Sequence, residues 1–138
     1  MFQMEMIFRI CFNSLKSWNV SNGNNFSSMF YGCRSLNDVK FIDNWDVSKG
    51  INFSTMFYGC SSLKEIELLI FNCPKGENFS YMFGECSSLK EIKLYEIINV
   101  SNGKDFSSMF EGCSSLEDIK SLQNMNVSNA TTFSNMFN

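Results

Sequence analysis

The chain has 138 residues, 44% of them hydrophobic, with 15 phenylalanines, six cysteines, no histidine and a formal net charge of −3. That length suits one domain with a buried core, and a mildly acidic balance without a Lys/Arg cluster gives no footprint of a nucleic-acid or anionic-membrane binder. The lack of histidine removes the commonest general base and the commonest metal ligand together.

The chain begins MFQMEMIFRICF, in which Phe2, Met4, Met6, Phe8, Ile10 and Phe12 alternate with other residues. A period of two predicts an edge strand, so residues 1–17 read as an N-terminal partial repeat or capping strand. No basic segment precedes these apolar residues and Arg9 interrupts them, which does not fit a secretory signal. The longest apolar run, Leu68 to Phe71, is far too short to cross a bilayer, so no membrane insertion is expected.

From residue 18 onward the chain repeats. FSSMFYGCRSL at 26–36 returns as FSTMFYGCSSL, FSYMFGECSSL and FSSMFEGCSSL, and its opening residue recurs at Phe26, Phe53, Phe79, Phe106 and Phe133, in steps of 27, 26, 27 and 27. A second column runs through Trp18, Trp45, Phe71, Ile98 and Met125, so units begin near 18, 45, 71 and 98, with a partial unit from 125. Within the first unit, Phe26, Met29, Phe30 and Cys33 lie at i, i+3, i+4 and i+7, which predicts a short helix with one apolar face. Asn25, Asn52, Asn78, Asp105 and Thr132 precede these cassettes as N-caps, and Gly32, Gly59 and Gly112 suit the left-handed position at the end. The third unit reads Gly84-Glu85-Cys86, which predicts a slightly different turn there.

After each cassette come Leu36, Val39, Phe41, then Leu63, Ile66, Leu68, then Leu89, Ile92, Leu94. The last two of each trio are two apart, as in a strand with one buried face. A glycine turn follows at Gly23, Gly50, Gly76 and Gly103, replaced by Ala130 in the last unit. One strand and one helix cannot close a core alone, so stacking of units along a parallel sheet is expected.

CSSLKEIEL at 60–68 fits the L-x-x-L-x-L core of a leucine-rich repeat, with isoleucine in the second place. The alternation of Trp45-Asp46-Val47-Ser48 with MF-x-GC-x-SL resembles the BspA-like leucine-rich-repeat surface proteins, over roughly residues 12 to 138. The expected fold class is therefore α/β, a leucine-rich-repeat-like solenoid with one short parallel strand and one short helix per repeat of 26–27 residues. The resemblance implies a cell-surface or secreted protein of bacteria or protists, engaged in adhesion or protein recognition and not an enzyme.

Cys33, Cys60, Cys86 and Cys113 recur once per unit and would form a column. Zn²⁺ needs ligands that converge tetrahedrally, and parallel Cβ vectors disfavour a disulfide, so these read as small core residues and no metal is expected. Cys73 stands where Val20 and Val47 stand, again an apolar role, and Cys11 lies outside the column. The methionine column Met29, Met56, Met82, Met109 and Met136 reads as core, so no cofactor is expected. Seven N-x-S/T sequons, at Asn19, Asn25, Asn52, Asn78, Asn99, Asn126 and Asn129, are glycan acceptors in a secreting eukaryotic host and equally suit turns and caps. Nucleophilic catalysis lacks an activating base, and the serines are copies; a catalytic constellation converges once.

Alternation sends the neighbours of the buried strand residues to the outer face. Asp38, Glu65, Glu91 and Asp118 form an acidic row there, beside a mostly basic row of Lys40, Glu67, Lys93 and Lys120. Adjacent rows of opposite sign offset the repulsion within each, and Glu67 is expected to be a local acidic spot. This face is the candidate site for a protein or cell-surface partner. Because Phe137-Asn138 falls midway through a unit, end-to-end self-association, or a structural spacer role without a dedicated ligand, is the alternative expectation.

Overall fold

The computed structural model describes residues 15–68, 71–96 and 98–138. Its regular elements are a 3₁₀ helix at Lys40–Asn44, β1 at Glu65–Leu68, β2 at Glu91–Leu94 and a second 3₁₀ helix at Lys120–Asn124. β1 and β2 pair in parallel, with Glu65 opposite Glu91 and Leu68 opposite Leu94. The N-terminal capping strand expected within residues 1–17 falls mostly outside the described residues.

The expected α/β leucine-rich-repeat-like solenoid, with a helix and a strand in every unit, is thereby corrected. Among the described residues no cassette is helical, and only two units carry a strand. The reason lies in where the N–H groups go. An α-helix would return each one to the carbonyl four residues back. Here Phe26, Ser28, Phe30 and Gly32 donate instead to the carbonyls of Asn52, Ser54, Met56 and Tyr58, at 2.7–3.0 Å. The residues between them, Met29, Tyr31 and Cys33, donate three positions back, to Phe26, Ser28 and Phe30. Each cassette is thus a run of tight turns whose alternate N–H groups reach the copy 26–27 residues further on.

Such a run needs a left-handed residue in its turns, and Ser28, Thr55, Tyr81, Ser108 and Asn135 all have φ of 53–57°. A second left-handed place is held by Gly32, Gly59 and Gly112, at φ of 68–71°. In the third unit Glu85 takes that place with φ 57°, and its N–H still reaches the Glu111 carbonyl at 2.7 Å. The different turn expected there is not formed; the same turn is made with a costlier residue.

The predicted caps work differently too. Asn25, Asn52, Asn78 and Asp105 each accept the N–H of the serine two residues on, at 2.9–3.0 Å, closing a side-chain turn at the start of the cassette. Thr132 does the same through its hydroxyl, at 3.2 Å.

The core is two aromatic ladders. Phe26, Phe53, Phe79, Phe106 and Phe133 stack at centroid spacings of 5.1–5.5 Å. Phe30, Phe57, Phe83, Phe110 and Phe137 stack at 5.3–5.7 Å, within 7° of parallel. These are offset stacks, each worth about 0.5–1.5 kcal/mol beyond the area buried. The turn glycines serve the first ladder: a Cβ on Gly50 would lie 2.3 Å from Cζ of Phe53, and one on Gly103 2.4 Å from Cζ of Phe106. Leu36, Val39, Leu63, Ile66, Leu89 and Ile92 complete the core from the other side of each unit.

Candidate binding surface

In β1 and β2 the alternation is as the side chains require: Ile66, Leu68, Ile92 and Leu94 are buried, while Glu65, Glu67, Glu91 and Lys93 are half-buried on the outer face. The eight charged positions do not all lie on strands. Asp38 and Lys40 sit at the start of the first 3₁₀ helix, and Asp118 and Lys120 at the start of the second. Val39 and Phe41 are buried but belong to no strand, because the chain turns into a helix that buries Phe41 and Ile42 together.

The rows neutralise each other. Lys93 Nζ lies 3.0 Å from Glu91 and 3.3 Å from Glu65, and these two carboxylates hold its ammonium above the usual lysine range. Glu67, expected as a local acidic spot, is paired: Lys40 Nζ lies 2.6 Å away and the Tyr95 hydroxyl donates to it at 2.9 Å. Those two partners, Lys40 first, hold the Glu67 carboxyl below its ordinary value. All of these groups face solvent, so their attraction is screened by salt. Lys120 is the exception in the basic row, with a side chain 90% exposed and Asp118 no nearer than 3.9 Å.

Beside Lys120 the face is concave. Asp118 pairs with Glu91 as an isolated parallel bridge, after which the chain leaves the sheet for the second 3₁₀ helix. The edge of β2 is then held by side chains: Ser121 Oγ donates to the Ile92 carbonyl, and Asn124 Nδ2 to the Leu94 carbonyl at 2.7 Å. The departure leaves an open depression of about 220 Å³, lined by Glu91, Lys93, Tyr95, Asp118, Lys120 and Ser121. The sequence reading missed Tyr95 and Ser121; Tyr95 is an exposed aromatic directly after a strand, a signal present in the sequence. A second pocket, about 30 Å³ and partly open, is lined among the described residues by apolar side chains of the core, Ile66, Ile92, Leu122 and Met125 among them.

The family profile described as "Mycoplasma protein of unknown function, DUF285" matches residues 1–118 and again residues 92–138. The chain belongs to this family. No curated protein and no solved structure matches the chain.

The five described cysteines of this DUF285 protein are free thiols: Cys60, Cys73, Cys86 and Cys113 are buried and Cys33 is half-buried. Each of the column thiols from the second unit onward donates to a carbonyl of the unit before it, Cys60 to Phe30 and Cys86 to Phe57 at 3.3 Å, and Cys113 to Phe83 at 3.1 Å. Burial pushes Cys60 up to about 12 and Cys113 up to about 11, so neither is a thiolate nucleophile near neutrality. Cys11 lies outside the described residues. Six of the seven sequon asparagines, all but Asn129, spend their side-chain oxygen on the N–H of the serine two residues on. The N-x-S spacing is thus the spacing of a turn. No helix among the described residues is long and apolar enough to cross a membrane.

Proposed function

We propose that this DUF285 protein is a non-enzymatic recognition module that binds a protein or cell-surface ligand through the outer face of β1 and β2, centred on the depression beside Lys120. The observation that carries this reading is the conjunction of an exposed aromatic, Tyr95, with a weakly paired cation, Lys120, at the rim of a concave surface. Tyrosine is among the residues in which binding energy concentrates, and an exposed cation beside it steers a partner of opposite charge. The paired rows on the rest of the face keep it soluble and disfavour partners of the wrong charge pattern. The likeness to BspA-like surface proteins supports adhesion as the biological setting and the cell surface or the medium as the location.

The test is a binding screen of the monodisperse protein against extracellular-matrix and cell-surface proteins, repeated with the Tyr95→Ala/Lys120→Glu double variant. Saturable binding that falls at least about tenfold in the variant, with unchanged thermal stability, supports this face. Binding that survives the double substitution removes it. Protease shaving of intact cells tests the location, since a surface protein is lost and an internal one is not.

A second reading, a structural spacer or assembling segment without a dedicated ligand, is favoured by the bonding between units, in which alternate N–H groups of one cassette are met by carbonyls of the next. Light scattering over a concentration series tests it, and a strict monomer throughout counts against self-assembly.

A further inference from the structure

The third unit departs from its neighbours at three positions, and the three meet at one place. Where the other cassettes have Ser28, Thr55 and Ser108 it has Tyr81; where they have Tyr31, Tyr58 and Glu111 it has Gly84; where they have Gly32, Gly59 and Gly112 it has Glu85. Tyr81 and Glu85 both take left-handed backbone, at φ of 55° and 57°.

Gly84 makes room for a ring of the unit before it: a Cβ there would lie 2.9 Å from Cδ2 of Tyr58 and 3.5 Å from Cδ1 of Tyr81. Tyr58 thus lies over Gly84, stacked on Tyr31 at 5.1 Å and inclined by 60° to Tyr81, whose ring is 6.2 Å away. Two rings so inclined form a corner, and Tyr81 is 38% exposed. The Glu85 carboxylate lies across Gly112 of the next unit, where a Cβ would fall 2.5 Å from Oε1. Its charge reaches the corner: after burial, Glu85 is the largest cause holding the Tyr58 hydroxyl above its ordinary value, and Glu111 adds to it. Glu65, Glu67, Glu77 and Glu91 each have a lysine within 3.3 Å, whereas neither Glu85 nor Glu111 has a cationic partner among the described residues. Tyrosine rings attract a cation through their π faces, and unpaired carboxylates beside them attract it by charge.

We propose that this corner receives an arginine of a partner protein. A planar guanidinium stacks on a ring while its N–H fork meets a carboxylate, a combination that a lysine ammonium does not offer. The corner is open, with Tyr81 and Glu85 both exposed, so a small free cation is covered on one side only. An arginine carried on a polypeptide adds contacts along Tyr58 and Tyr31, the rings already in line with the corner. The site is built from cassette residues and shares none with the outer face of β1 and β2, so it is a second surface and stands apart from the first.

The test titrates the full chain with a terminally blocked peptide of alternating arginine and glycine, read by the amide shifts of Tyr58, Tyr81 and Glu85. The expected result is saturable binding that falls at least about tenfold in Tyr81→Ser/Glu85→Gly and is unchanged in Glu117→Gln, which removes one exposed charge elsewhere. Both changes in the double variant restore residues that the neighbouring units carry at the same places, so the cassette keeps its turns. Equal weakening in Glu117→Gln overturns the proposal in favour of net charge. A lysine–glycine peptide that binds as tightly overturns the choice of arginine, and free arginine amide that binds as tightly overturns the polypeptide partner. Absence of shifts at the three residues overturns the site. Binding lost in Tyr95→Ala/Lys120→Glu and kept in the corner variant overturns it too, and assigns the peptide to the strand face.

Discussion

The two inner units and the two that flank them part company at one residue. After Leu63 and Leu89 the chain continues Lys-Glu-Ile and forms β1 and β2; after Leu36 and Leu116 it passes through Asp38 or Asp118 and turns into a 3₁₀ helix. Asp38 Oδ1 accepts the N–H of Lys40 at 3.1 Å, and Asp118 Oδ1 that of Lys120 at 2.9 Å. Glutamate is one methylene longer: Glu65 reaches across to Lys93 of the next unit, Glu91 meets Lys93 within its own strand, and both leave the backbone N–H groups to the neighbouring strand. A side chain that satisfies its own backbone competes with the sheet, and one that reaches the next unit cooperates with it.

The same contrast between inside and edge sets the energetics of the aromatic ladders. Phe79 is buried with a ring on each side, while Phe133 has a ring on one side and solvent on the other. Phe79→Ala should therefore lower the unfolding free energy by about 3–5 kcal/mol and Phe133→Ala by about 1 kcal/mol, measured by urea denaturation. Equal losses would show that the end is covered in solution.

The aspartate contrast is broken by Asp118→Ala, which removes the side-chain acceptor of the Lys120 N–H and should cost about 1 kcal/mol. Asp118→Glu sharpens it. Amide exchange at Lys120 should quicken in both variants, and an unchanged rate would mean that the aspartate does not hold the turn.

A third comparison sets Glu85 against Gly32, Gly59 and Gly112. Relief of a left-handed non-glycine residue is worth about 1–2 kcal/mol, against about 0.4–1 kcal/mol for the added freedom of the unfolded chain. Glu85→Gly should thus raise stability by about 0.5–1 kcal/mol, whereas Glu85→Ala, which keeps the strain, should not.

The thiols separate in the same way. Cys33 belongs to the first unit and is half-buried, while Cys60, Cys86 and Cys113 are buried. A disulfide reagent at neutral pH should modify Cys33 first among the described cysteines, and the others only as the protein unfolds. Prompt modification of Cys86 would contradict the packing of the inner units.

Much of this was readable beforehand, and the failures have a common cause. The periods placed the phenylalanine columns, the buried partners Ile66, Leu68, Ile92 and Leu94, and the outward charges of β1 and β2. They did not reveal the turns, because the spacing of Phe26, Met29, Phe30 and Cys33 suits one face of a helix and a run of tight turns alike. What separates the two is the destination of the N–H groups, and that depends on a copy 26–27 residues away. Likewise Gly50 and Gly103 were legible as turn residues, but their need for ring space was not, since it requires knowing where Phe53 and Phe106 point. On the candidate surface, the charge rows were visible in the sequence. That Glu67 is matched to Lys40 and Tyr95 was not, because pairing across units depends on register and on the path each chain segment takes after it.

That matching also yields the smallest and most local expectation. Lys40 and, after it, Tyr95 hold the Glu67 carboxyl below the ordinary value of 4.5, so the ionised form is favoured in the folded state. A group whose folded pKa is depressed contributes stability above its unfolded pKa and loses that contribution as pH falls through the folded value. Because Glu67 faces solvent, the effect should be seen in its own titration rather than in global unfolding. The carboxyl resonance of Glu67 should titrate below 4.5, return most of the way in Lys40→Met, and return by a smaller step in Tyr95→Phe. If Lys40→Met leaves the midpoint where it was, the 2.6 Å pair is not formed in solution, and Lys40 joins Lys120 as a second weakly paired cation on the face.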